Sequence, residues 1–486
     1  MTGSIAGAAA PSSAAPTSTV PSTAAPSTAV PAATAPTNET HGDTASTATG
    51  QRLPRVGTSA ALTAAVLMSS APGLLPRPAV TQALLTGVAM AIGLAIVCCA
   101  RRAFGTGRHT RIRPRAWAVC VGALISTAAV YSNMLWQNRL RAAMDADTVH
   151  WTYVVDVLGG AACVALALCG LAHAVSRVCS VRSVVLITVL GVLSYGVGGP
   201  VIRSAVAGSL SASSSATDDT VPAPTTRTRS GSPESLVPWN TLGREGRRFV
   251  SGGLDPTTVR TYVGLDSAPT LDQRVDAAVA EMERAGAFER GVVVVAIPTG
   301  SGWVDENAVA GAELRFRGDV ATVALQYSNK PSWATFLFAE DDARRSAYAM
   351  VRAVATRAAE QTRPPSVIVY GQSLGSVAGS DAYVSLRQTL PGICGAVWAG
   401  PPAGAVNTDD ATVLANASDP VVAWSASLLW SAPTQQVTHH DAPSPMWLPI
   451  ISFVQTSVDL AAALDADSGH GHRYGTEQGT AMPRCR

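Results

Sequence analysis

The chain has 486 residues, of which 47% are hydrophobic and only 14% charged, and its mean hydropathy is +0.21. Soluble domains carry about a quarter charged residues, so this balance predicts a membrane part joined to a soluble part. The net charge of +2 leaves no basic footprint for nucleic acid, which excludes that class of partner.

Residues 1–50 repeat Ala, Pro, Ser and Thr without Lys or Arg. Such a segment buries too little apolar surface to offset its ordering entropy, and is expected to be disordered. It has no basic start followed by an apolar core, so it does not read as a cleaved signal peptide. Residues 51–207 read as a transmembrane domain. Five apolar stretches lie at about 56–75, 79–100, 116–136, 154–175 and 183–207, each near the ~20 residues that cross a bilayer. They mostly lack the polar face of a soluble helix. Pro72 and Gly73 interrupt the first.

Loop charges predict the orientation. The loop after the second stretch carries Arg101, Arg102, Arg108, Arg111, Arg113 and Arg115, and the fourth loop carries Arg177 and Arg182. The third balances Arg139 and Arg141 against Asp145 and Asp147. The positive-inside rule then places the N-terminus and the Arg-rich loops in the cytoplasm and everything after about residue 207 outside. The expectation is a multi-pass cell-membrane protein with an extracytoplasmic C-terminal domain.

Residues 208–235 are rich in Ser, Thr and Pro and read as a flexible linker. Residues 236–486 suffice for one α/β domain with a sizeable core. Within it 271–287 and 340–361 read as helices. The apolar runs 291–298, 319–327, 367–370, 393–399 and 412–417 read as strands. Continuous rather than alternating apolar strands, mostly separated by helices, predict a mostly parallel sheet covered by helices on both faces.

The chemistry centres on Gly371-Gln372-Ser373-Leu374-Gly375. A strand leads into this G-x-S-x-G turn and a helix-permitting stretch follows, the context of a nucleophile elbow with Ser373 as nucleophile. A serine hydroxyl needs a positioned base, and the base needs an orienting carboxylate. Asp419 follows the last strand in an Asp-Pro turn. His470 and His472 follow in Ser468-Gly469-His470-Gly471-His472. His470, with glycine on both sides, is slightly preferred as base. His439 and His440 compete from what reads as an exposed loop. The oxyanion would take the Leu374 amide and amides of Thr299-Gly300-Ser301-Gly302-Trp303, with Gly300, Ser301 and Gly302 as candidates. That loop lacks the Walker lysine and the G-x-G-x-x-G spacing of a nucleotide site. No acid or cysteine at ligand spacing completes a metal site around the histidines, so no cofactor is expected.

Eight stretches together carry a resemblance: LLPRP (74–78), WNTLGREGRRFV (239–250), YVGLDSA (262–268), TGSGWVD (299–305), LQYSNKPSW (325–333), YGQSLGS (370–376), ASDPVV (417–422) and GHGHRY (469–474). The chain resembles an actinobacterial membrane-anchored alpha/beta-hydrolase family, with a multi-span N-terminal part and a C-terminal catalytic part. The resemblance implies an α/β-hydrolase fold with Ser373 as nucleophile, Asp419 as acid and a GHGH histidine as base. Gln372 stands where that family usually has Glu.

Cys98, Cys99, Cys120, Cys163, Cys169 and Cys179 lie in or beside the apolar stretches and read as small apolar residues. Cys394 and Cys485 lie in the globular part and would pair in an oxidising compartment. The expected function is a membrane-anchored serine hydrolase that cleaves or transfers an ester-linked acyl group. Its expected partners are the lipid bilayer and a lipid or cell-envelope ester. One alternative is a non-enzymatic transport or sensory protein that uses the fold as a binding module. The scarcity of charges within the apolar stretches, Asp156 being the clearest, argues against a solute pathway. The other alternative is a peptidase on the same fold.

Overall fold

A computed structural model describes residues 53–105, 112–178, 220–253, 255–329, 340–434 and 437–485. The expected disordered tail through residue 50, Cys179 and the expected fifth span lie outside the described residues.

Among the described residues, four helices form the N-terminal part: α1 (Val56–Ser69), α2 (Ala79–Phe104), α3 (Ile112–Ala143) and α4 (Thr152–Val178). Helices α2, α3 and α4 are long and apolar enough to cross a membrane. The first expected span is corrected: α1 has only 14 residues, a rise of about 21 Å against a hydrocarbon core of ~30 Å. It stops before Pro72 and Gly73, and the chain beyond it is a loop. Small residues let α2 and α4 approach closely. A Cβ on Gly87 would fall 2.6 Å from Val164 Cβ, and one on Gly160 would fall 2.9 Å from Ala83 Cβ.

The C-terminal part is built on six strands: β1 (Val259–Val263), β2 (Val292–Ile297), β3 (Val320–Leu325), β4 (Ser366–Gln372), β5 (Ile393–Ala399) and β6 (Ala411–Leu414). They form one sheet in the order β1-β3-β2-β4-β5-β6, and every neighbouring pair is parallel. All residues of β1 and β3 are buried, as strands covered on both faces require. The helices are α5 (Gly243–Ser251), α6 (Leu271–Arg284), α7 (Glu306–Arg315), α8 (Glu340–Ala359), α9 (Leu374–Leu386), α10 (Pro420–Ala423), α11 (Ile451–Asp459) and α12 (Glu477–Thr480). Helix α8 packs between α6 and α9, and α7 packs on α12.

Residues 220–235, expected as linker, lie along the outer edge of β1. Ser230 N donates to Arg260 O at 3.2 Å, and Arg260 N donates to Thr228 O at 3.1 Å. Their composition is that of a linker, but their backbone satisfies an edge strand that would otherwise face water. Cys394, in β5, and Cys485 form a disulfide with Cα atoms 5.8 Å apart.

The strand order positions the site. After β2 the chain moves to one side as β3, and β4 returns on the other side of β2. Loops leaving the C-terminal ends of β2 and β4 therefore diverge and open a crevice between them.

Candidate active site

Ser373 sits alone between β4 and α9, at φ 53° and ψ −126°. A non-glycine residue there holds roughly 1–3 kcal/mol of backbone strain, which the surroundings must hold in place. One tether is the Ser373 amide, which donates to Ala399 O of β5 at 3.0 Å. The two flanking glycines are required by contact. A Cβ on Gly371 would fall 2.4 Å from the Gly375 carbonyl oxygen, and one on Gly375 would fall 2.2 Å from Ile297 O of β2. Ser373 is half-buried. The Leu374 amide beside it opens α9, where the first N–H groups of a helix have no partner within it.

Asp419 is fully buried and caps α10, its Oδ1 accepting from Val421 N at 2.8 Å. Its Oδ2 lies 2.8 Å from His472 Nδ1 and accepts from the Tyr474 hydroxyl at 2.8 Å. A carboxylate only accepts, so the tautomer that fills this bond carries its proton on Nδ1 and leaves Nε2 as an acceptor. Burial, and then the Asp419 charge, push the Tyr474 phenol well above its usual value, so it remains a donor.

Contacts bring this histidine to the serine turn. A Cβ on Gly400 would fall 2.7 Å from His472 Cε1, and Gly400 follows the carbonyl that holds the Ser373 amide. Gln372, the residue before Ser373, donates from Nε2 to His472 O at 3.3 Å. Because that bond needs an amide donor, Gln rather than an ionised Glu suits this position.

His470, the slightly preferred candidate, meets a different carboxylate from the expected Asp419. Its Nδ1 lies 3.1 Å from Oδ2 of Asp441. Asp441 also accepts from the Ser418 amide at 3.2 Å and from the Ser418 hydroxyl. Ser418 Oγ in turn accepts from Gly471 N at 2.7 Å. This second acid–histidine pair ties down the turn between the two histidines. Positive φ at Gly469 and Gly471 turns the chain so that His472, not His470, meets Asp419. The loop 438–441 is also more than exposed chain. His439 and His440 are exposed, but Asp441 is buried, and His439 Nδ1 lies 3.1 Å from Asn416 Oδ1. Asp441, Tyr474, Ser418 and Gly400 were not anticipated, because no motif spacing marks a residue that supports a loop from a distance in sequence.

In the loop after β2, the Gly302 amide is taken by Thr299 O at 2.9 Å, which removes it from the oxyanion candidates. Gly300, Ser301 and Leu374 keep that role as candidates. The loop is pinned by Tyr262, whose hydroxyl donates to Gly302 O at 2.9 Å, and by Gln326, whose Nε2 donates to Ser301 O at 3.0 Å. Among the described residues no three His, Cys, Asp or Glu side chains gather as a metal site.

A parallel sheet with a strained serine turn at its switch point, followed in chain order by an acid and a histidine, is the architecture of the α/β-hydrolase class. Residues 259–412 and 407–483 match the model of an alpha/beta-hydrolase family. Residues 71–253 match the model of an alpha/beta-hydrolase family N-terminus. The chain belongs to this alpha/beta-hydrolase family. No curated protein and no solved structure matches it.

Proposed function

We propose that the protein is a membrane-anchored serine hydrolase that cleaves or transfers an ester-linked acyl group. The observation that carries this reading is the strained Ser373 turn lying across Gly400 from the Asp419–His472 pair. Ser373 Oγ attacks the ester carbonyl while His472 Nε2 takes its proton. The oxyanion is met by the Leu374 amide and an amide of Gly300 or Ser301. Collapse expels the alcohol, which takes the proton back from Nε2. Water, or an acceptor hydroxyl, then releases the acyl group by the same steps in reverse.

The proposed substrate is a lipid or cell-envelope ester at the outer face of the cell membrane. Three long apolar helices support the anchoring. With the Arg-rich loop after α2 in the cytoplasm, the crossings of α3 and α4 and the expected third crossing at 183–207 support an extracytoplasmic catalytic part, and so does the disulfide, since such bonds persist in oxidising compartments. The segment between Asp419 and His472 supports the substrate class. It exposes Trp430, Met446, Ile450 and Val454, and Ile450 N donates to Leu429 O at 3.0 Å. Gln455, which follows Val454, donates from Nε2 to Met68 O at the end of α1 at 2.9 Å, where Leu67 and Met68 are exposed as well. An apolar rim continuous with the helical part suits an acyl chain leaving a bilayer. With the full chain in lipid nanodiscs, Trp430→Asp and Ile450→Asp are expected to slow hydrolysis of a bilayer-held long-chain ester at least about tenfold, while turnover of a soluble p-nitrophenyl acetate stays unchanged. Equal loss on both esters would contradict the lipid reading.

A further inference from the structure

The loop joining α1 to α2 runs into the C-terminal part. Arg77, Asp459 and Gln455 are each 1% exposed. Arg77 Nε donates to Asp459 Oδ1 at 2.9 Å, Nη1 donates to Gln455 Oε1, and Nη2 donates to Gln455 O at 2.9 Å. Leu74 N donates to the other carboxylate oxygen of Asp459 at 2.7 Å. On its opposite side the same loop is held by α3. Arg77 N donates to Gln137 Oε1 at 2.6 Å, and Arg141 Nη2 donates to Arg77 O at 3.3 Å. The loop is thus a strap fixed to α3 at one side and to α11 at the other.

Helix α11 ends at Asp459, and four residues later Ala463 O accepts the His472 amide at 2.8 Å. Leu75, buried in the strap, closes behind the same turn. A Cβ on Gly471 would fall 3.5 Å from Leu75 Cδ2 and 2.9 Å from Ala463 O. Burial holds the Asp459 carboxyl above its usual value, a rise that the Arg77 guanidinium only partly offsets.

We infer that Arg77 is a positioning residue for the catalytic base: through Asp459 and Gln455 it fixes α11, and the turn that follows α11 holds the backbone of His472 through Ala463 O. The inference rests on the serine-hydrolase reading, and it makes the helical part a working piece of the active site rather than an anchor alone. Guanidinium suits the task because its rigid fork spans a carboxylate, a side-chain amide and a carbonyl at once, which an ammonium does not. A base displaced by about 1 Å loses on the order of 100-fold in rate, so a support this far from the reacting atoms still governs turnover.

The test uses the full chain in nanodiscs, comparing wild type with Arg77→Met, Arg77→Lys and Leu75→Ala. Ester kcat and KM are measured well below the melting temperature of each variant, and amide hydrogen exchange is followed in peptides covering 463–474. Arg77→Met is expected to lower kcat roughly 10- to 100-fold with KM changed less than about threefold, and to speed exchange at 469–474 at least about tenfold. Arg77→Lys should fall between Arg77→Met and wild type. A lower melting temperature with kcat and exchange at wild-type values would overturn the inference, because the pair would then be structural only. If Arg77→Met does not fold, Leu75→Ala carries the same test, since it removes packing behind Gly471 without leaving a charge unpaired. Wild-type values of kcat and exchange in that variant would overturn the inference too. A wild-type chain with no turnover would remove the hydrolase reading, and exchange alone would then decide the strap.

Discussion

His470 and His472 are separated by one glycine, and each has a buried carboxylate: Asp441 for the first and Asp419 for the second. Only the Asp419 pair lies over Gly400 beside the serine turn. His472→Ala is therefore expected to lower kcat by at least about a thousandfold. His470→Ala is expected to lower it far less, and to cost roughly 1–3 kcal/mol of stability by removing the His470 bond to the buried Asp441 carboxylate, which keeps its bonds from Ser418. Activity assays and urea unfolding of both variants check this; equal loss of kcat would contradict it. The elbow serine, the Asp-Pro turn and the GHGH pair were legible in the sequence because each sits at a local signature. The choice between the histidines was not, because it depends on positive φ at Gly469 and Gly471 and on a carboxylate 53 rather than 29 residues upstream. The turn glycines give a second prediction. Gly375→Ala drives a Cβ into the backbone of β2, where no side chain can yield, so it should destabilise by about 3 kcal/mol or more. A Gly375→Ala variant with an unchanged urea midpoint would contradict the close approach.

At the scale of elements, strands β2 to β6 announce themselves as apolar runs, and each lies within or overlaps its expected range. Strand β1 did not, because Arg260 and Thr261 break its apolar pattern although both are buried. The fold accommodates Arg260 by pairing it with Glu313 of α7, Nε to Oε1 at 2.7 Å. Glu313→Ala strands a buried guanidinium and is expected to cost roughly 3–5 kcal/mol, read as a fall in the thermal unfolding midpoint. Helix α1 misled in the opposite way. Its apolar run continues through Leu74 and Leu75, but those leucines serve the strap and not a span, which hydropathy alone does not distinguish. The short helices α10 and α12 carry too little pattern to be read in advance.

For the whole molecule, one covalent bond joins distant parts of the chain. The Cys394–Cys485 bond closes a separation of 91 residues, so Cys394→Ser with Cys485→Ser is expected to lower stability by roughly 2–4 kcal/mol. A second global property is the alkaline limit. Burial raises the phenols of Tyr262, Tyr370 and Tyr474 well above 10.0. An acid whose folded pKa is raised holds its proton more tightly when folded. Its contribution is full below the unfolded value and is lost as pH rises beyond it. Stability is therefore expected to fall above about pH 10 by up to ~4 kcal/mol per pH unit. Urea midpoints that stay flat from pH 9 to 11 would contradict the burial of these rings.

The most direct measurement is fluorophosphonate labelling of the full chain in nanodiscs, with the modified peptide identified by mass spectrometry, for wild type, Ser373→Ala, His472→Ala and His470→Ala. The expected result is a single adduct on Ser373, no adduct in Ser373→Ala, almost none in His472→Ala, and clear labelling in His470→Ala. A folded wild-type chain that does not label, or an adduct on another serine, would contradict it.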